Sequence, residues 1–121
     1  MPVFLKASLS LLTLCLVSQT LCASEMTFGD SNLVNVSGKT FFSALRSKDK
    51  TTQERAQLYM TGVWDASEGK SWCSFTMFKS GTLQEIVYRH FSKLPSERLE
   101  ERAAKLIEEA LSSRHPCKVK K

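Results

Sequence analysis

Apolar residues recur at intervals of three and four through residues 38–114, which is the spacing of amphipathic helices. No stretch of useful length alternates apolar and polar residues, so the pattern predicts no sheet. The four apolar stretches predict helices over residues 38–46, 51–68, 80–94 and 96–114. The chain is therefore expected to form a small single all-α domain of four helices.

Local signals indicate where these helices begin and end. Residues 51–54 and 82–85 have the Thr-x-x-Glu order of a capping box, in which two side chains satisfy free N–H groups at a helix start. Gly69 is predicted to end the second helix in a left-handed conformation, and Pro95 to end the third. Gly62 costs about 1 kcal/mol in a helix interior. We therefore expect a neighbouring helix to approach Gly62 closely.

The N-terminal residues have the order of a secretory signal. One basic residue, Lys6, precedes a short apolar stretch at residues 7–17, and the small Ala23 follows. The apolar stretch is shorter than the roughly 20 residues that a membrane-spanning helix requires. We predict a signal peptide over residues 1–23 and no membrane span. Residues 24–37 are polar and turn-rich, which predicts an irregular lead-in to the helical domain.

Two of the four cysteines, Cys15 and Cys22, lie in the predicted signal peptide, which leaves Cys73 and Cys117. Because exported proteins fold in an oxidising compartment, we expect these two to form a disulfide. Closing a ring of about 45 residues is worth roughly 4 kcal/mol. A disulfide leaves no thiolate for a cysteine–histidine nucleophile. A zinc site from these cysteines and the two histidines lacks the close ligand pairs of structural zinc sites.

The charge of the chain is mildly basic. It carries 17 basic and 12 acidic residues, and removal of Lys6 with the signal peptide leaves a net charge of +4. The basic residues are scattered, apart from a basic tail at residues 118–121, so they do not form the basic face with stacking aromatics that nucleic acid requires. An acidic protein partner is compatible with this charge.

Residues with catalytic chemistry are few. Asp65 has no second acid placed to work with it, so we expect a buried hydrogen bond to Ser67 or to the backbone. We expect His90 at the edge of the third helix and His115 near the end of the fourth. The sequence therefore predicts no catalytic site, no metal site and no cofactor.

The loop between the second and third helices, residues 70–79, is unusually apolar. Trp72 within it suits either core packing or a rigid aromatic anchor at a protein interface. Loops held on a rigid helical frame often carry binding residues. We therefore predict that Lys70, Ser71, Trp72 and Phe75 contact a partner.

Several short segments within residues 38–117 carry a family resemblance through their order and spacing. They are Tyr59–Ala66, Trp72–Cys73, Gly81–Leu83, Leu94–Pro95, Ala103–Ala104, Ala110–Leu111 and Pro116–Cys117. In this order they resemble the Tai/Rap family of immunity proteins linked to type VI secretion. That family has a helix with tyrosine, glycine, valine and aspartate, then a cysteine, a helix, a proline, a second helix and a terminal proline–cysteine pair.

The resemblance implies a small, exported, helical protein that is not an enzyme. Characterised relatives bind and block a peptidoglycan amidase that a rival cell injects into the periplasm, and they often form homodimers. We therefore expect a periplasmic protein that occludes the cleft of a secreted cell-wall amidase. Many relatives carry a further cysteine pair, and its positions fall here near Arg46 and at Ala56, which implies a looser first helix.

A second function is compatible with the same scaffold. An envelope protein without a toxin partner could bind a small apolar ligand between its amphipathic helices, or bind another envelope protein. An internal pocket above roughly a few hundred cubic ångströms would favour the ligand. A tightly packed interior would argue against it.

Overall fold

A computed structural model describes residues 35–118 of the chain, without the side chain of Phe75. Within this range there are five α-helices, one 3₁₀ turn and no named strand, so the predicted all-α class is confirmed. The predicted signal peptide, most of the lead-in and residues 119–121 of the tail lie outside the described residues. The elements are α1 (Gly38–Leu45), α2 (Lys50–Ser67), the 3₁₀ turn (Phe75–Met77), α3 (Ser80–Lys93), α4 (Ser96–Leu99) and α5 (Ala103–Arg114).

A single core lies where the four longer helices meet. Helix α5 packs against α2 and against α3, and α1 packs against all three of them. The rings of Phe41 and Phe91 meet edge to face at 5.2 Å, which joins α1 to α3. The largest side chains with almost no exposed surface are Trp72, Phe41, Phe91, Met60, Leu83, Leu106, Ile107, Leu111 and Val87.

The predicted fourth helix is in fact two helices, α4 and α5, separated at residues 100–102. The backbone N–H of Gly38 donates to the carbonyl of Glu101, and the N–H of Ala103 donates to the carbonyl of Val36, both at 2.8 Å. These bonds pair the segment before α1 with the segment before α5. They draw the backbone of residues 101–103 out of a continuous helix, which the apolar periodicity cannot reveal.

Gly38 is required at this crossing for a steric reason. A Cβ atom at position 38 would lie 2.5 Å from Leu106 Cδ1 and 3.1 Å from the carbonyl oxygen of Leu99. The second contact is with backbone, which cannot rotate away. Glycine therefore allows the start of α1 to pack directly on α4 and α5.

Both predicted capping boxes are wrong. Helix α2 begins one residue earlier, with Asp49 as its N-cap, and the Asp49 carboxylate accepts the backbone N–H of Thr52 at 2.8 Å. The hydroxyl of Thr52 donates to the same carboxylate, and these two bonds lower the pKa of Asp49. Helix α3 has Lys79 at its N-cap and no side-chain cap bond. The end of α2 is as predicted, because Gly69 follows it with φ +78°.

The predicted disulfide is confirmed and joins Cys73 to Cys117. The backbone N–H of Cys73 also donates to the carbonyl of His115 at 2.9 Å, and the ring of Phe78 lies 4.0 Å from that of His115. The loop before α3 is thus fixed to the end of α5 by a covalent bond and by two further contacts. Because both sulfurs are bonded, neither can act as a thiolate nucleophile or as a zinc ligand.

Residues 35–118 contain no helix that is both long enough and apolar enough to cross a membrane.

Ion pairs connect α4 to α5 on the surface of the domain. The guanidinium of Arg98 donates to Glu109 at 2.6 Å and also to Glu101, and the ammonium of Lys105 donates to Glu101 at 2.7 Å. The hydrogen bond from Arg98 is the largest cause, followed by that from Lys105, of a fall in the pKa of Glu101 to about 2. The hydrogen bonds from Arg98 also lower the pKa of Glu109.

We expect acid to destabilise the domain through this cluster. Glu101 and Glu109 have depressed pKa values in the folded state. Their contribution to the free energy of unfolding is therefore complete when the pH is above the pKa that each has in the unfolded chain. It is lost as the pH falls from about 5 toward 2. Thermal unfolding between pH 7 and pH 2 should show this decline. The variant Glu101→Gln should show a shallower decline, and an equal slope in both proteins would contradict the assignment.

Candidate partner-binding groove

An open groove of about 600 Å³ lies between α2 and α5. The residues contributed by α2 are spaced so that they share one face of the helix. Helix α5 contributes Ala104 and Glu108, which are one turn apart, and the turn after α2 closes one end. The lining residues are Leu58, Tyr59, Gly62, Val63, Ala66, Ser67, Lys70, Ser71, Ala104 and Glu108.

The α2 side of the groove is mainly apolar. Leu58 is 72% exposed, although most leucines of the domain lie in the core. Ala66 is exposed and Val63 is half-buried, so apolar surface continues along the helix from Leu58. Burial between α2 and α5 raises the pKa of Tyr59. An exposed apolar strip with a polar rim is typical of a protein-binding surface.

Gly62 lies in the middle of this strip. The expectation that a neighbouring helix of the same chain approaches Gly62 closely is wrong. A Cβ atom at this position would have nothing within 4 Å. Packing inside the domain therefore does not require glycine here. The absence of a side chain instead keeps the centre of the groove open.

We expect Gly62→Ala to raise the free energy of unfolding by about 0.5–1 kcal/mol, because alanine is the better helix former and meets open space. Urea denaturation followed by circular dichroism measures this change. Gly69→Ala is the matched control. It should lower stability by about 1–2 kcal/mol because Gly69 has a positive φ. A stability loss in Gly62→Ala would contradict the open environment.

The end of the groove is polar and is formed by the turn after α2. The backbone N–H groups of Lys70 and Ser71 donate to the carbonyl of Ser67 at 3.1 and 3.0 Å. The hydroxyl of Ser71 donates to the carboxylate of Glu108 on α5. Lys70 is exposed at the rim. The structure therefore brings two of the predicted partner residues, Lys70 and Ser71, to one end of the apolar strip.

Trp72 lies beneath this turn and not on its surface. Its side chain has no exposed area, and its indole N–H donates to the hydroxyl of Ser67 at 3.1 Å. That hydroxyl in turn donates to the carbonyl of Val63 at 2.5 Å. The buried ring packs under the turn and is not available at the surface of the free protein, so its predicted contact with a partner stays a prediction. The alternative, core packing, is what the structure shows.

The remaining loop residues extend away from the groove toward α3. Ser74 has φ +89°, which costs a residue with a side chain about 1–2 kcal/mol. Its backbone N–H donates to Glu68 at 3.3 Å. The backbone of Phe75 starts the 3₁₀ turn, and its side chain lies outside the described part of the structure, so its predicted role is not tested.

Comparison with known families gives a match over residues 11–117 to the model of the Rap1a immunity proteins. The match includes every helix of the fold and both disulfide cysteines. The chain belongs to this family. It is therefore an immunity protein for a secreted effector, which agrees with the resemblance seen in the sequence. No curated protein matches the chain.

Other polar residues of this Rap1a-family protein do not converge on the groove. Asp65 is exposed, so the expected buried hydrogen bond is wrong. His90 lies on α3 with its Nε2 atom 3.3 Å from a carboxylate oxygen of Glu109. His115 is packed against Phe78. Among the described residues, no three histidine, cysteine or acidic side chains are grouped as metal ligands would be.

The sequence pattern missed Leu58 and Glu108 as groove residues of this immunity protein. Leu58 falls outside the buried stripe of α2, and it lies one helical turn before Gly62. An apolar residue that lies outside the buried face of a helix, one turn from a glycine in the same helix, is the signal that could have identified Leu58. For Glu108 the sequence offers no comparable signal, and only the fold shows that Ser71 reaches it.

Proposed function

We propose that this immunity protein neutralises a peptidoglycan amidase in the periplasm by covering the catalytic cleft of the enzyme. Membership of the immunity family supports the binding of a secreted effector protein. The Cys73–Cys117 disulfide supports a location outside the cytoplasm, because such bonds persist in oxidising compartments. A cell-wall enzyme would act in that same location.

The observation that carries the proposal is the α2/α5 groove. It combines an exposed leucine, Leu58, with an open centre at Gly62 and a charged rim at Lys70. Stable protein interfaces have this arrangement of an apolar centre and a polar rim. We propose that a surface segment of the amidase inserts an apolar side chain over Gly62 and contacts Lys70 and Ser71.

The architecture suits inhibition by occlusion. The turn carrying Lys70 and Ser71 is fixed to α5 through Glu108 and through the nearby disulfide. A turn held in advance loses little conformational freedom when it binds, and this preserves affinity. The protein needs no reactive group of its own, because steric exclusion of peptidoglycan is sufficient.

The proposal is tested with a panel of purified amidases secreted by type VI systems and a peptidoglycan hydrolysis assay. The wild-type protein should abolish the activity of at least one enzyme at equimolar concentration. Gly62→Arg should weaken this inhibition by about tenfold or more, because its side chain fills the groove. Lys70→Glu should weaken it through the change of charge.

Gly81→Arg is the matched control for Gly62→Arg. Gly81 also lies in a helix, a Cβ atom there also meets open space, and the residue does not line the groove. We expect it to inhibit like the wild type. A panel in which no amidase is inhibited would contradict the amidase assignment. Equal loss of inhibition in both arginine variants would contradict the groove as the binding site.

The homodimer implied by the resemblance stays a prediction, which ultracentrifugation of the free protein checks.

The alternative function, carriage of a small apolar ligand between the helices, receives less support from the described residues. The groove of about 600 Å³ lies open at the surface and is not enclosed between the helices. Core side chains such as Leu83 and Ile107 have no exposed surface. A packed interior of this kind does not favour an internal apolar ligand.

A further inference from the structure

A second cleft, of about 440 Å³, lies between α3 and α5. It is formed on a different face of α5 from the groove, since Ala110 and Arg114 line it and Ala104 and Glu108 do not. The wall from α3 carries residues spaced by three or four, so they form one continuous helical face. The lining residues are Thr82, Glu85, Ile86, Arg89, His90, Lys93, Ala110, Ser113, Arg114 and His115.

The lining of this cleft carries a net positive charge. Arg89, Lys93 and Arg114 line it, whereas Glu85 is the only acidic residue among its lining side chains, and it forms an ion pair with Arg89. With neutral histidines the formal charge of the lining is +2. The α2/α5 groove carries one lysine and one glutamate, so its lining is neutral. The two clefts flanking α5 therefore suit partners of different charge.

The size and chemistry of the cleft restrict what could occupy it. Arginine binds carboxylate and phosphate groups through two parallel hydrogen bonds, and lysine adds a point charge. Ile86 and Ala110 give the cleft an apolar floor, which a bare phosphate ion would leave uncovered. The ring of His115 is already packed on Phe78, and no tryptophan, tyrosine or phenylalanine lines the cleft for a nucleobase to stack on.

We propose that the α3/α5 cleft binds an acidic peptide segment of a partner protein. Carboxylates of the segment pair with Lys93 and Arg114, and an apolar side chain covers Ile86. This surface is separate from the groove, so the proposal does not depend on the effector being an amidase. It gives the immunity protein a second contact, one whose strength falls as salt concentration rises.

The probe for this proposal is an acetylated Glu-Glu-Leu-Glu-Glu peptide, titrated into the oxidised, exported protein at low ionic strength. Binding is measured by calorimetry and is located by amide chemical shifts in nuclear magnetic resonance spectra. We expect shifts along α3 and at the end of α5. The double variant Lys93→Gln/Arg114→Gln should bind the peptide about tenfold more weakly.

Three controls decide the outcome. The variant Lys48→Gln/Lys50→Gln removes the same charge from exposed residues outside the cleft, and it should change the affinity less than about twofold. The same peptide with glutamine in place of glutamate should not bind. Equal losses in the two double variants would overturn the proposal in favour of general charge attraction. Equal binding of inorganic phosphate at these residues would also overturn it, in favour of a small-anion site.

Discussion

Replacing both disulfide cysteines, as Cys73→Ser/Cys117→Ser, should lower the free energy of unfolding by up to about 4 kcal/mol. The bond closes a chain segment with a sequence separation of 44 residues, and without it the unfolded chain gains the freedom of that segment. For a domain of this size the loss corresponds to a fall of about 15–30 °C in Tm. Thermal and urea unfolding of the two proteins measure it.

The local contacts around the bond moderate this effect without replacing the bond. The hydrogen bond from Cys73 to His115 and the packing of Phe78 remain available to the serine variant. Each is worth about 1 kcal/mol, so they cannot restore the lost constraint. We therefore expect the variant to fold with a less stable end of α5.

A reducing agent provides the control. It should destabilise the wild type to the level of the double variant and leave the variant itself unchanged. Wild-type protein that keeps its Tm when mass spectrometry shows both thiols free would contradict the structural role of the bond. The same experiment bears on location, because a domain that depends on this bond is adapted to an oxidising compartment.

Much of the fold could be predicted because the core follows the helical period. Phe41, Leu83 and Leu106 lie on three different helices, each within the apolar face of its own helix, and all three are buried. Because a signal peptide was predicted over residues 1–23, Cys73 and Cys117 were the two cysteines left, and each was the expected partner of the other. The apolar faces of the helices depend on local sequence, and the cysteine pairing depends on how many cysteines remain. Both can therefore be predicted without knowing which distant segments are in contact.

The features that could not be predicted depend on contacts between distant segments. The break between α4 and α5 is set by backbone bonds from Val36 and Gly38, which lie more than 60 residues earlier in the chain. The N-cap at Asp49 was missed because a second plausible signal stood two residues later. Asp49 accepts hydrogen bonds from Thr52 through a full negative charge, which favours it as the cap.

The sequence predicted no groove, and of the residues that line it only Lys70 and Ser71 were named as partner contacts, which stay predictions. Lys70 and Ser71 belong to one short turn, so a loop argument finds both. Glu108 and Ala104 reach the same groove from α5, and only the packing of α2 on α5 shows this. The sequence also left Trp72 with two roles, because a tryptophan in a loop can pack in a core or contact a partner.

Trp72→Ala should lower the free energy of unfolding by about 3–5 kcal/mol, which would leave the domain marginal or unfolded. The side chain is fully buried and supports the turn from below, where the backbone N–H of Gly69 donates to the Trp72 carbonyl at 2.7 Å. Removal of the ring leaves a cavity and a hydroxyl on Ser67 that loses its donor. Urea denaturation measures the loss in any variant that folds.

Trp72→Phe keeps the prediction testable where the alanine variant fails to fold. Phenylalanine retains most of the buried area but cannot donate to Ser67, so we expect a loss of about 1–2 kcal/mol. Ser67→Ala removes the other partner of the same bond, and the double variant should lose less than the sum of the single losses. Additive losses would show that this hydrogen bond contributes no coupling.

The phenylalanine variant also separates the two roles of Trp72. A tryptophan that only supports the turn leaves Lys70 and Ser71 in place when it becomes phenylalanine, so inhibition of the effector should change less than about threefold. A tryptophan that the effector contacts would cost tenfold or more in a protein that still folds. The complete burial of the ring leads us to expect the first result. Binding lost with the fold intact would mean that the turn opens when the effector binds.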